Sequence, residues 1–144
     1  MRQRLAAIAY ALLLMVTVAG GIATAIAAAT LPLGNSEQLP AAQGAVRVHT
    51  LGKDGTELAI NVRRLLAPQQ IRSGSQQFVV WARGTAPGAK AVNLGALRLD
   101  GHSNGDLHTS STLTSFELFL TCEMNAAAIM PSSPELMAVQ YQSN

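Results

Sequence analysis

"TELAINVRRL", residues 56–65, decides the fold. Leu58, Ile60 and Val62 alternate with Glu57, Asn61 and Arg63. Successive side chains on a strand point to opposite sides, so a period of two marks a strand with one buried and one wet face. Upstream, "AVRVHTL" sets Val46 and Val48 against Arg47 and His49. Between the two runs, "GKDG" (Gly52–Gly55) predicts a hairpin turn. Downstream, "QFVVWARG" holds the only tryptophan, Trp81. "FVVW" is apolar on both faces, which predicts a central strand covered on both sides, with Trp81 in the core rather than serving as a platform. "VNLGALRLD" is a further strand, where a bulge at Gly95 keeps both Leu94 and Leu97 buried. "LHTSSTL" reads as a polar edge strand. "SFELFLTCE" alternates Phe116, Leu118, Leu120 and Cys122 against Glu117, Phe119 and Thr121. "ELMAVQY" closes the chain. The connections are "LLAPQQIRSGSQ", "GHSNGD" with its Asn104-Gly105 turn dipeptide, and "MNAAAIMPSSP". About seven short strands with regular turns and no helix predict an all-β, immunoglobulin-like β-sandwich over residues 45–144.

The chain opens differently. Residues 1–30 carry Arg2 and Arg4, no acid, and an apolar stretch from Leu5 to Ala29. A positive start, an apolar middle and a small-residue end are the layout of a secretory signal peptide. Ala23-Thr24-Ala25, Ala25-Ile26-Ala27 and Ala27-Ala28-Ala29 each fit the small-x-small cleavage pattern. The same stretch is long enough for an uncleaved membrane anchor, since a span needs about 20 residues. The arginines would then stay cytoplasmic. Either way this apolar export helix places the body outside the cytoplasm, in the periplasm or cell envelope, secreted or anchored. "LPLGNSEQLPAAQG", residues 31–44, is rich in Pro, Gly, Ser, Asn and Gln and reads as a linker.

Charge excludes one class of function. Beyond Arg2 and Arg4, eight basic residues balance eight acids, and they are scattered. No basic stripe is available to neutralise phosphates, so nucleic acid is not an expected partner.

Candidate chemistry is sparse. "DGHSNGDLH" brings Asp100, His102, Asn104, Asp106 and His108 close in sequence, all metal-ligating types. As a calcium loop it fails at its third position, His102, and its twelfth, Ser111. The same residues are what a polar hairpin tip requires, and that reading is preferred. Cys122 is the only cysteine and shares a face with Leu118 and Leu120, which predicts a buried thiol; an exposed one would instead crosslink two chains. Glu117 and Glu123 stand roughly 20 Å apart along one strand, too far for paired acid–base work. No nucleophile elbow, phosphate loop or dinucleotide fingerprint occurs. No catalytic residue, cofactor or metal is expected, and the chain reads as non-enzymatic.

Several short elements together resemble the extracytoplasmic C-terminal domain of the anti-sigma factor K family. They are Phe78-Val79-Val80-Trp81, the Leu94-Gly95 step, Thr121-Cys122-Glu123 and Pro131-Ser132-Ser133-Pro134, within residues 44–141. "MNAAAIMP" stands where that family has a Gly-Gly pair. Only Met1–Arg4 precede the apolar run, so no zinc-type anti-sigma domain accompanies it. The resemblance implies the fold and the exported location, not sigma-factor sequestration. The expectation is a binding or structural module of the cell envelope with an extracytoplasmic protein partner, reached through a sheet face or edge strand. The alternative is a membrane-tethered regulatory or sensory domain acting through a partner membrane protein.

Overall fold

The computed structural model describes residues 28–143. The strands are β1 (Ala28–Asn35), β2 (Gln43–Thr50), β3 (Thr56–Arg63), β4 (Gln77–Gly84), β5 (Ala91–Ala96), β6 (Arg98–Leu99), β7 (Gly105–Ser111), β8 (Phe116–Glu123) and β9 (Met137–Tyr141). A one-turn helix, α1 (Pro68–Ile71), follows β3. Neighbouring strands are antiparallel, in the order β5-β4-β8-β9-β1-β2-β3-β7-β6. The all-β expectation therefore holds, and the sheet curls until it nearly closes. Where its two ends meet, Thr109 Oγ1 on β7 donates to the Leu94 carbonyl on β5 at 3.0 Å.

The alternation read in the sequence builds the interior. Val46 and Val48 of β2 and Leu58, Ile60 and Val62 of β3 meet Phe78, Val80 and Ala82 of β4 and Phe116, Leu118, Leu120 and Cys122 of β8 in one buried cluster. The register shifts between Val80 and Trp81 opposite β5, leaving Leu94 as the extra residue of a bulge. Gly95 takes φ +125° there, and Leu97 is buried while Leu94 packs against the same cluster. The bulge expected at Gly95 is thus present, because only glycine adopts that backbone freely.

Four expectations need correction. Residues 31–44 are not a linker. Residues 28–33 pair with β2, and Gly34 and Asn35 pair with β9, so β1 joins the two flanks of the sheet. Leu33, Leu39 and Ala42 are buried in the main core, and the Asn35 amide ties the following turn by donating to the Leu39 and Ala42 carbonyls. Pro32 is tolerated because β1 has only one neighbour at that point. Gly44 lets the joint close, since a Cβ there would sit 2.9 Å from carbons of Leu33 and Met137. Second, nine strands form rather than about seven, through β1 and through the division of "VNLGALRLD" into β5 and β6. Third, α1 stands in a body expected to hold no helix; Pro68 at its start carries the φ a helix needs. Fourth, the reversal before β7 lies earlier than Asn104-Gly105. Asp100 N–H donates to the Asn104 carbonyl, Gly101 and Ser103 take positive φ, and Gly105 is buried within β7.

The apolar stretch expected to act as an export segment lies outside the described residues except for its end. Ala28 and Ala29 are already strand, opposite His49 and Val48. Among the described residues, no helix is long and apolar enough to cross a membrane.

Candidate functional site

Alternation gives β2, β3 and β7 an outward face as well as a buried one. Register then lines the outward residues up in rows. Arg47, Ala59 and His108 form one row, and His49, Glu57 and Ser110 the next. Ala59 has short reach at a central-strand position where larger side chains are usual. Its methyl group floors a groove of about 550 Å³ walled by Arg47, His49, Glu57, His108 and Ser110. That volume falls within the range of small-ligand sites. Among the described residues, no side-chain hydrogen bond or ion pair engages Arg47, His49, Glu57 or His108. A second, smaller depression adjoins it, lined by Asn61, Arg63, Asp100, Asn104 and Asp106, with His108 shared between the two.

The Asp100–His108 segment does not converge on a metal. The Asp100 carboxylate accepts from the N–H groups of His102 and Asn104 at 2.7 and 3.2 Å and from the Asn104 side-chain amide at 2.9 Å. The Asn104 amide above all, then the His102 N–H, holds its pKa below the usual carboxylate range. Asp106 pairs with Arg98 at 3.2 Å. His102 is exposed at the tip, whereas His108 stands on the β7 face. Among the described residues, no group of three or more His, Cys, Asp or Glu side chains is placed to share a metal ion. The segment is a hairpin tip stabilised by its own aspartate.

The outward side of β4 and β8, by contrast, is closed. Val79, Trp81 and Phe119 point away from the main core into a second buried cluster, packed against Ala91, Ala96, Ala128 and Ala138. Trp81 is fully buried, and its Nε1–H donates to Thr121 Oγ1 at 2.8 Å. The cover is the loop after β8. Asn93 Nδ2 donates to the carbonyls of Ala126 and Ala128, both at 2.8 Å. The buried Glu123 carboxylate accepts from Ser132 N–H at 2.7 Å and Ser132 Oγ–H at 2.6 Å, and Ser133 Oγ accepts from Cys122 N–H at 3.0 Å. Arg83 lies over the Phe119 ring at 4.8 Å and bridges Glu117 and Glu135 at 2.7 and 2.9 Å. Trp81, Thr121, Glu123 and the Pro131–Pro134 loop are therefore one structural assembly. Cys122 is free and buried; burial first, then the Glu123 charge, pushes its thiol pKa up to about 11, with Arg72 acting the other way.

The β7 edge is only partly open. β6 pairs with Gly105 and Asp106, and beyond them β7 faces β5 through the Thr109–Leu94 bond. The two sheet ends shield each other, which leaves the Arg47–His108 face as the broad polar surface. Of its residues, only His108 was singled out from sequence as a candidate. Arg47, His49 and Glu57 carried the signal of outward parity, but their convergence depends on strand register. In comparisons with known proteins, the chain matches no family model and no curated protein.

Proposed function

We propose that this chain is an exported, non-enzymatic binding module of the cell envelope that recognises a protein partner through the outward face of β2, β3 and β7. The observation that carries this reading is the groove over Ala59, whose four ionisable walls have no partner among the described residues. Groups left free on a strand-built face need no reorganisation before they meet a ligand. The strand order supports an immunoglobulin-like sandwich. With β1 set aside, β2-β3-β7-β6 and β9-β8-β4-β5 follow the A-B-E-D and G-F-C-C′ orders of such domains. β1 is then an added strand bridging A and G. The resemblance to the anti-sigma factor K extracytoplasmic domain supports the same location.

A photo-crosslinking residue placed at Ser110 in the full chain, in its native envelope, tests the reading. A discrete protein adduct from Ser110, absent when the crosslinker sits at the distant exposed Thr85, is expected. The same adduct from both positions, or none from Ser110, overturns it.

A second reading rests on β1. The apolar run overlaps Ala28 and Ala29, which already belong to the sheet. Retained as an anchor, the run would seat the domain directly against the bilayer with no spacer, as a tethered regulatory domain would sit. Intact mass of the protein in membrane and soluble fractions separates the readings: full length resisting a salt wash favours the tether, and loss of about the first 25–29 residues favours cleavage.

A further inference from the structure

We propose that the groove over Ala59 holds a carboxylate of its protein partner between Arg47 and His108, and that it grips this group more tightly as the medium turns acidic. This deepens the proposed binding function and rests on it. Arg47 and His108 flank Ala59 on neighbouring strands in a single row, so a small anion above the methyl group has a guanidinium on one side and an imidazole on the other. His49 stands two residues along β2 from Arg47 on the same face. Guanidinium and imidazolium donors match carboxylate oxygens.

The charges facing the groove come from three of the four strands around it. β2 supplies Arg47 and His49, β3 supplies Glu57, and β7 supplies His108. β1 offers only Ala28 and Thr30 alongside, both uncharged. Farther along the face, Arg63 lines the adjoining depression, and Asp106 is occupied by Arg98. With both imidazoles neutral, Arg47 and Glu57 balance. With both protonated, the groove gains two positive charges around the Ala59 floor. Each proton taken up by an imidazole adds a positive charge beside the Ala59 floor, so affinity for an anion rises as the medium turns acidic. Glu57 weakens the hold on any anion, and a carboxylate is the anion that the aspartate and glutamate side chains of a protein partner supply.

The test is a titration of the full chain with acetyl-Gly-Asp-Gly-amide and, separately, with inorganic phosphate, following the imidazole resonances of His49, His108 and His102 by NMR. His102, exposed in the hairpin tip outside the groove, is the internal control. The peptide is expected to shift His49 and His108 saturably, with a Kd on the order of millimolar at pH 5.5 and about tenfold weaker at pH 7.5. His102 stays unmoved. Arg47→Ala abolishes the response, and Glu57→Gln strengthens it. Equal shifts at His102, a response that survives Arg47→Ala, or weaker binding in Glu57→Gln overturns the assignment; the last would mark a ligand with a cationic group. Tighter binding of phosphate than of peptide overturns the choice of carboxylate. If the Ser110 crosslink persists while the peptide fails, the binding face stands and the carboxylate falls.

Discussion

The two outer faces of this sheet have been treated in opposite ways. On β4 and β8, the outward residues Val79, Trp81 and Phe119 are apolar, and the chain folds its own loop back over them. On β2, β3 and β7, the outward residues Arg47, His49, Glu57 and His108 are ionisable, and no described segment covers them. Burying a tryptophan and a phenylalanine is favourable, so a loop that covers them offsets its own ordering entropy. Covering Arg47 and Glu57 would require desolvating charge, so nothing is gained by closing that face. The contrast separates a face covered by the chain itself from a face left open among the described residues.

Mutations on the closed face should have the largest effects. Trp81→Ala empties the second cluster and strands Thr121, and a loss of about 3–5 kcal/mol in urea unfolding is expected. A loss under about 1 kcal/mol would mean that the loop collapses to fill the space. Glu123→Gln leaves the Ser132 donors a weaker acceptor, and a loss of about 1–3 kcal/mol is expected. Trp81 fluorescence should also become more accessible to acrylamide, because the covering loop is held through Ser132. Unchanged quenching would uncouple the loop clamp from the tryptophan.

Cys122 sharpens the comparison by pH. Its pKa is raised in the fold to about 11, so the native state holds the thiol proton more tightly than the unfolded chain does. The associated stability is fully present below the ordinary thiol pKa and is lost as pH climbs from there through about 11. In chemical denaturation, the midpoint should fall across that window in the native chain and stay flatter in Cys122→Ala. At pH 8 the native thiol should resist alkylation, and rapid labelling would place it outside the core. The smallest effects belong to the open face. Arg47→Ala and Ala59→Gln should each change stability by about 0.5 kcal/mol or less. A larger loss in thermal unfolding would make the groove part of the scaffold and erase the distinction between the faces.

Much of this was legible residue by residue. Alternation in β2, β3 and β8 placed the inward side chains correctly, and Gly95 announced its bulge. "FVVW" showed that both sides of β4 needed cover, but parity alone cannot say which segment supplies it, since that depends on Glu123 meeting Ser132 nine residues later. β1 was hidden by composition. Pro32, Gly34 and Asn35 suggested a linker, while the inward pair Leu31 and Leu33 was too short a run to stand out. The groove was the least legible feature, because Arg47, Glu57 and His108 are neighbours only through the register of three strands.

The joint formed by β1 has a mechanical side. Ala28 lies opposite His49, and Thr50 Oγ1 meets the Tyr141 hydroxyl at 3.0 Å, so the start of β1 and the end of β9 leave the fold at the same end. Tension applied between them peels the two strands away pair by pair instead of shearing the sheet along its length. Peeling β1 would take Leu33 from the core and Ala28 from the rim of the groove, and peeling β9 would take Ala138 from the tryptophan cluster, so a pull at this one end reaches both faces.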